Sequence, residues 1–142
     1  MSLAKRLTLC LIVPLAVGGC LASAPVRTQE MHQLGSALTK LTAATDAAAM
    51  FDDLPTGLSE EEFIRRATAH DPGLAAPFKD FTLRVVREGK HTAALVCSKD
   101  GRFALLEDVG CTTPMDKHSW TASPQLPCEF TLHPSELCRD SH

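Results

Sequence analysis

The hydrophobic period of this chain changes once, from three-to-four residues to two, and that change limits the fold more than any other feature. Between Glu30 and Met50 the apolar residues Met31, Leu34, Leu38, Leu41, Ala44 and Ala48 recur at spacings of three and four, broken only by Gly35. That spacing predicts an amphipathic helix with one stripe packed on a core. An alanine-rich helix forming part of a partner groove or coiled coil would show the same spacing. Phe51 to Gly57 (FDDLPTG) ends the pattern with Pro55 and Gly57. A second helix is expected from Ser59, because Ser59 and Glu62 have the spacing of a capping box, each side chain accepting an amide that the first turn leaves unpaired. Glu60, Glu61 and Glu62 suit the positive end of the helix dipole, and consecutive helical residues point apart, so capping explains them better than a cation site. Phe63, Ile64 and Ala67 supply the buried stripe, and His70-Asp71-Pro72-Gly73 ends the helix.

From Phe81 the period becomes two. Phe81, Leu83 and Val85 alternate with Thr82, Arg84 and Val86 before a turn at Glu88-Gly89-Lys90. Thr92 to Cys97 reads as a second strand, Ser98-Lys99-Asp100-Gly101 as a turn, and Arg102 to Val109 as a third strand, with Cys128 to His133 (CEFTLH) as a short fourth. Helices followed by strands make an α+β domain: two N-terminal helices and a small antiparallel sheet of three to four strands. At 142 residues there is material for one core, not two. A formal net charge of -3 excludes a basic nucleic-acid binder, and 5% aromatic residues, no Tyr and Trp120 as the one Trp leave little material for stacking bases or sugars on ring faces.

The first twenty residues, MSLAKRLTLCLIVPLAVGGC, place Lys5 and Arg6 before an apolar run from Leu7 to Val17, then Gly18, Gly19 and Cys20. This is the outline of a secretory signal; the run is too short, and interrupted by Pro14, to span a bilayer. Val17-Gly18-Gly19-Cys20 resembles the lipobox of bacterial lipoproteins. The resemblance implies that residues 1–19 are a signal peptide removed on export and that Cys20 carries a diacylglycerol. Its new amino group would be acylated, by palmitate or a similar chain. It also implies that residues 20–29 are the lipidated Cys and a short tether, and that residues 30–142 form one periplasmic domain. Leu21, rather than Asp, follows Cys20, which in that family implies the periplasmic face of the outer membrane. The membrane is then the first partner, through the lipid on Cys20.

Cys10 would leave with the signal, so four cysteines remain, Cys97, Cys111, Cys128 and Cys138, and in an oxidising compartment disulfides are their expected state. Cys97 and Cys111 flank opposite ends of the third strand, roughly 25 Å apart at about 3.3 Å per residue, whereas a bridge needs Cα atoms within about 7 Å. An antiparallel fourth strand beside the third then predicts Cys111 with Cys128 and Cys97 with Cys138. There is no Cys-x-x-Cys, so neither a zinc ribbon nor a thioredoxin-like centre is expected, and no metal or cofactor is implied.

No zincin, nucleophile-elbow, Walker or dinucleotide motif occurs. The densest polar cluster is Asp116-Lys117-His118 with Trp120, inside the loop that a Cys111–Cys128 bridge would close, a candidate surface for a ligand or partner. Glu107-Asp108 and Arg84 with Arg87 read as cross-strand surface charges. The leading expectation is a non-enzymatic lipoprotein with an envelope assembly or partner-binding role, meeting an envelope protein. The alternatives are a small envelope hydrolase or metal-dependent enzyme using His118, Asp116 and His91 or His133, and a domain sensing a small ligand in a cavity between helices and sheet.

Overall fold

A computed structural model of the chain describes residues 28–112, 115 and 125–138. Helix α1 spans Thr28–Phe51, 24 residues. Met31, Leu34, Leu38, Leu41 and Ala48 of the expected stripe are buried and Ala44 is half-buried. Thr42, Thr45 and Asp46 are buried on the same helix, so the stripe turns polar towards its C-terminal half. Helix α2 covers Glu60–Ala67, only two turns. Ser59 caps it by accepting the Glu62 N–H at 3.2 Å. The capping box is half made, because the Glu62 carboxylate faces forward to Arg65 (2.6 Å) and Arg66 (2.7 Å). Hydrogen bonds from these two guanidiniums hold the Glu62 carboxyl down to about 2.

After two 3-10 turns, Pro72–Leu74 and Ala76–Phe78, the strands β1 (Thr82–Glu88), β2 (His91–Cys97) and β3 (Ala104–Val109) form an antiparallel meander in the order β1-β2-β3. Both hairpin turns rest on a glycine in the left-handed region, Gly89 at φ 63 and Gly101 at φ 70. The β2–β3 register steps from Val96↔Leu106 to Cys97↔Ala104, leaving Leu105 as the extra residue of a bulge.

The two faces of the sheet are covered differently. One packs Leu83, Val85, Ala94, Val96 and Leu106 against Leu34, Leu38 and Leu41 of α1 and Phe63 of α2. The other sets Leu95, Cys97 and Ala104 under Cys128 and Phe130 of the C-terminal segment. Covering both faces explains why every residue of β3, and all of β2 but His91, is buried, without the polar alternation of a one-sided sheet.

That C-terminal segment differs from expectation. Cys128 to His133 is not a fourth strand. It starts with one isolated bridge, Phe103↔Pro127, in which Cys128 donates its N–H to the Arg102 carbonyl at 3.0 Å. The chain then runs towards the far end of β3, where the Thr131 and Leu132 N–H groups bond the Glu107 side chain instead of a backbone carbonyl. A short helix, α3 (Pro134–Leu137), follows. Past that antiparallel bridge the segment thus advances in the same sense as β3, the reverse of the expected strand.

The reversal exchanges the disulfide partners. The bridges are Cys97–Cys128 and Cys111–Cys138, each with a Cα separation of 5.7 Å, not Cys111–Cys128 and Cys97–Cys138. Cys128 lies at the start of β3, where Cys97 is, and Cys138 beyond its end, where Cys111 is. The exclusion of a Cys97–Cys111 bridge stands, because β3 separates the two.

Candidate functional site

The polar half of α1 builds a cluster against the end of the sheet. Asp46 accepts the Thr92 N–H at 2.8 Å, and His91 Nδ1 lies 3.1 Å from its other carboxylate oxygen. A carboxylate only accepts, which assigns the ring proton of this contact to Nδ1. The Thr45 and Thr92 hydroxyls meet at 2.8 Å beside them. Gly110 is where the backbone passes closest: a Cβ there would stand 2.5 Å from Asp46 Cβ, so only glycine leaves Asp46 its place. Immediately after Gly110 comes Cys111. A ring nitrogen of His91 and the sulfurs of Cys111 and Cys138 all lie within 4.8 Å of one another. Cys111 is exposed, and Cys138 and His91 are half-buried. With the sulfurs bonded to each other they offer no thiolates, so these three residues make a histidine-flanked disulfide; only an opened bridge would present three ligands to a cation.

Three further carboxylates tie the layers. Glu107, fully buried, accepts the Thr131 N–H (3.0 Å), the Leu132 N–H (2.8 Å) and the Thr131 hydroxyl (2.9 Å). Asp108, on the opposite face, meets the Thr42 hydroxyl, which also lies 3.0 Å from the Leu38 carbonyl. Asp108 accepts that hydroxyl; burial pushes its carboxyl up from the ordinary value, while the bond from Thr42 opposes the shift. Glu88 caps α3 from outside, accepting the Ser135 hydroxyl (2.6 Å) and N–H (2.9 Å), and those bonds hold its carboxyl below the usual range.

Glu107-Asp108 are therefore not surface charges; each points into one of the two covered faces. Arg84 and Arg87 are corrected too. Arg84 bonds Glu60 of α2 at 3.1 Å and lies over the Phe130 ring, 5.3 Å from its centroid. Arg87 reaches the Ala49 and Leu54 carbonyls at 3.3 and 3.2 Å, serving the end of α1, whose own last turn has no basic residue.

Cys20, Asp116, Lys117, His118 and Trp120 lie outside the described residues. The loop meant to carry the last four is not closed by one bridge, since Cys111 and Cys128 belong to different bridges. Of the histidines proposed for catalysis, His91 sits on Asp46 and His133 on Glu88, each on its own carboxylate. Two open grooves, of about 400 and 470 Å³, run along α1 against Pro77, with Gln33 and Ala37 in both linings. Sequence reasoning named His91 as a catalytic candidate but missed Asp46, the carboxylate it sits on. The available signal was Thr42, Thr45 and Asp46 intruding between Leu41 and Ala48 on a stripe that should be apolar. Among the described residues no helix is long and apolar enough to cross a membrane. No family model, curated protein or solved structure matches the chain.

Proposed function

We propose that this chain is an exported lipoprotein, held by acyl chains on Cys20 at the periplasmic face of the outer membrane, with a non-enzymatic role in envelope assembly or partner binding. The observation that supports export is that Cys97, Cys128, Cys111 and Cys138 are all consumed in two bridges. Disulfides form and persist in oxidising compartments and are rare where thiols are kept reduced. The Val17-Gly18-Gly19-Cys20 pattern supplies the anchor. Two or three acyl chains hold a protein on a leaflet lastingly where one does so only marginally. Helix α1 begins at Thr28, so the tether is short and the domain stays near the membrane surface. Confinement to two dimensions raises its effective concentration towards membrane partners without any further contact.

Metabolic labelling with a clickable fatty acid tests the reading. The wild-type chain takes up label and sediments with membranes, and Cys20→Ala abolishes both. A Cys20→Ala chain that still labels, or a wild-type chain that never does, refutes it.

A further inference from the structure

The two bridges stand in different surroundings. Cys97 is fully buried and bonded to the half-buried Cys128 of the C-terminal segment, whereas Cys111 is exposed and its bridge faces His91 and, behind it, Asp46. We propose that the Cys111–Cys138 bond is a thiol–disulfide exchange site, served by His91 beside the sulfurs and Asp46 holding His91, whose substrate is a dithiol.

The reaction balances as follows. A thiolate of the incoming dithiol attacks Sγ of Cys111, the accessible sulfur; a mixed disulfide forms, the Sγ–Sγ bond breaks, and its electron pair leaves on Sγ of Cys138. The second thiolate of the dithiol then attacks the sulfur of its own molecule in the mixed disulfide and expels Cys111. The partner leaves oxidised to a disulfide, and this chain keeps two electrons as two thiols once protons are taken up. The bond that must break puts negative charge on sulfur, and a ring nitrogen of His91 lies within 4.8 Å of it, where an imidazole can hand a proton to the leaving sulfur. Asp46 is a positioning residue, fixed by the Thr92 N–H and by its contact with Gly110. Among the described residues, Glu88 stands opposite His91 in the β1–β2 register and is itself bonded to His133 and Ser135. No Cys-x-x-Cys is needed, because the fold brings together cysteines 27 positions apart.

The test is selective reduction of the folded, oxidised chain by dithiothreitol, quenched over time by alkylation and mapped by mass spectrometry. Cys111–Cys138 is expected to open at least tenfold faster than Cys97–Cys128. His91→Gln is expected to slow the first at least fivefold and leave the second unchanged. That separates the proposal from simple exposure, which His91→Gln does not alter. Equal opening rates for the two bridges, or a His91→Gln chain that opens Cys111–Cys138 as fast as wild type, overturn it. Should His91→Gln fail to fold, wild type decides: after one equivalent of dithiothreitol, the freed cysteines are expected to react with iodoacetamide at pH 6 at least tenfold faster than glutathione does. Reaction at the glutathione rate overturns the proposal. Neither measurement depends on Cys20 or its lipid, so failure here leaves the anchoring experiment independent.

Discussion

Replacing Glu107 tests the central claim about how the sheet is closed. Its carboxylate accepts two backbone N–H groups and one hydroxyl of the C-terminal segment, at 2.8 to 3.0 Å, from a position with no solvent exposure. A buried donor deprived of its partner costs about 1–3 kcal/mol, but Thr131 is on the surface and water recovers part of that. Two backbone donors at about 1 kcal/mol each, plus the packing lost from a fully buried side chain, give about 2–4 kcal/mol for Glu107→Ala. Glu107→Gln keeps the volume and one acceptor but turns an NH2 group towards donors, and should lose about 1–2 kcal/mol. Urea unfolding followed by circular dichroism, with both disulfides intact, measures the change. Hydrogen exchange at the Thr131 and Leu132 amides locates it, since both should lose protection. The reasoning is refuted if Glu107→Ala stays within about 0.5 kcal/mol of wild type, below the cost of even one orphaned donor, or if those amides exchange as before.

Three other outcomes follow from the geometry. Gly110→Ala forces a methyl against Asp46 and should lose about 1–3 kcal/mol, an overpacking cost read as a lowered Tm in a thermal melt; an unchanged Tm would show that the contact is not tight. In an NMR titration the Glu62 carboxyl should have a midpoint near 2, and the double change Arg65→Gln, Arg66→Gln should return it towards 4.5; since the folded value is depressed, the stabilisation it reports is present above about 4.5 and is lost as pH falls through about 2. For Asp108 the sign is opposite: burial raises the folded carboxyl, so between its ordinary 3.8 and that raised value the folded state keeps a proton the unfolded chain has lost. Wild type should therefore lose stability relative to Asp108→Asn as pH rises from 3 to 7, and a difference constant across that range contradicts the assignment.

What could be read from the residues was local. Helical spacing marked α1, Ser59 marked the start of α2, and the glycines at 89 and 101 marked both hairpin turns, because caps and left-handed turns are decided within a few positions of chain. The alternation of Phe81, Leu83 and Val85 identified the face of β1 that meets the helices. Sequence patterning was also enough to separate Cys97 from Cys111, since the length of one strand does that unaided.

The direction of the C-terminal segment was set by tertiary structure alone, and with it the disulfide partners. A single bridge at Pro127 followed by bonds to the Glu107 side chain leaves no period in the sequence to show which way the chain runs. The same holds for the charges. Glu107 and Asp108 look like a polar strand end until a layer lies over each face, and Asp46 looks like a helix surface residue until the Thr92 amide needs an acceptor. Burial and polar pairing arise from what two distant segments do to each other's water, and that free energy exists only once they meet.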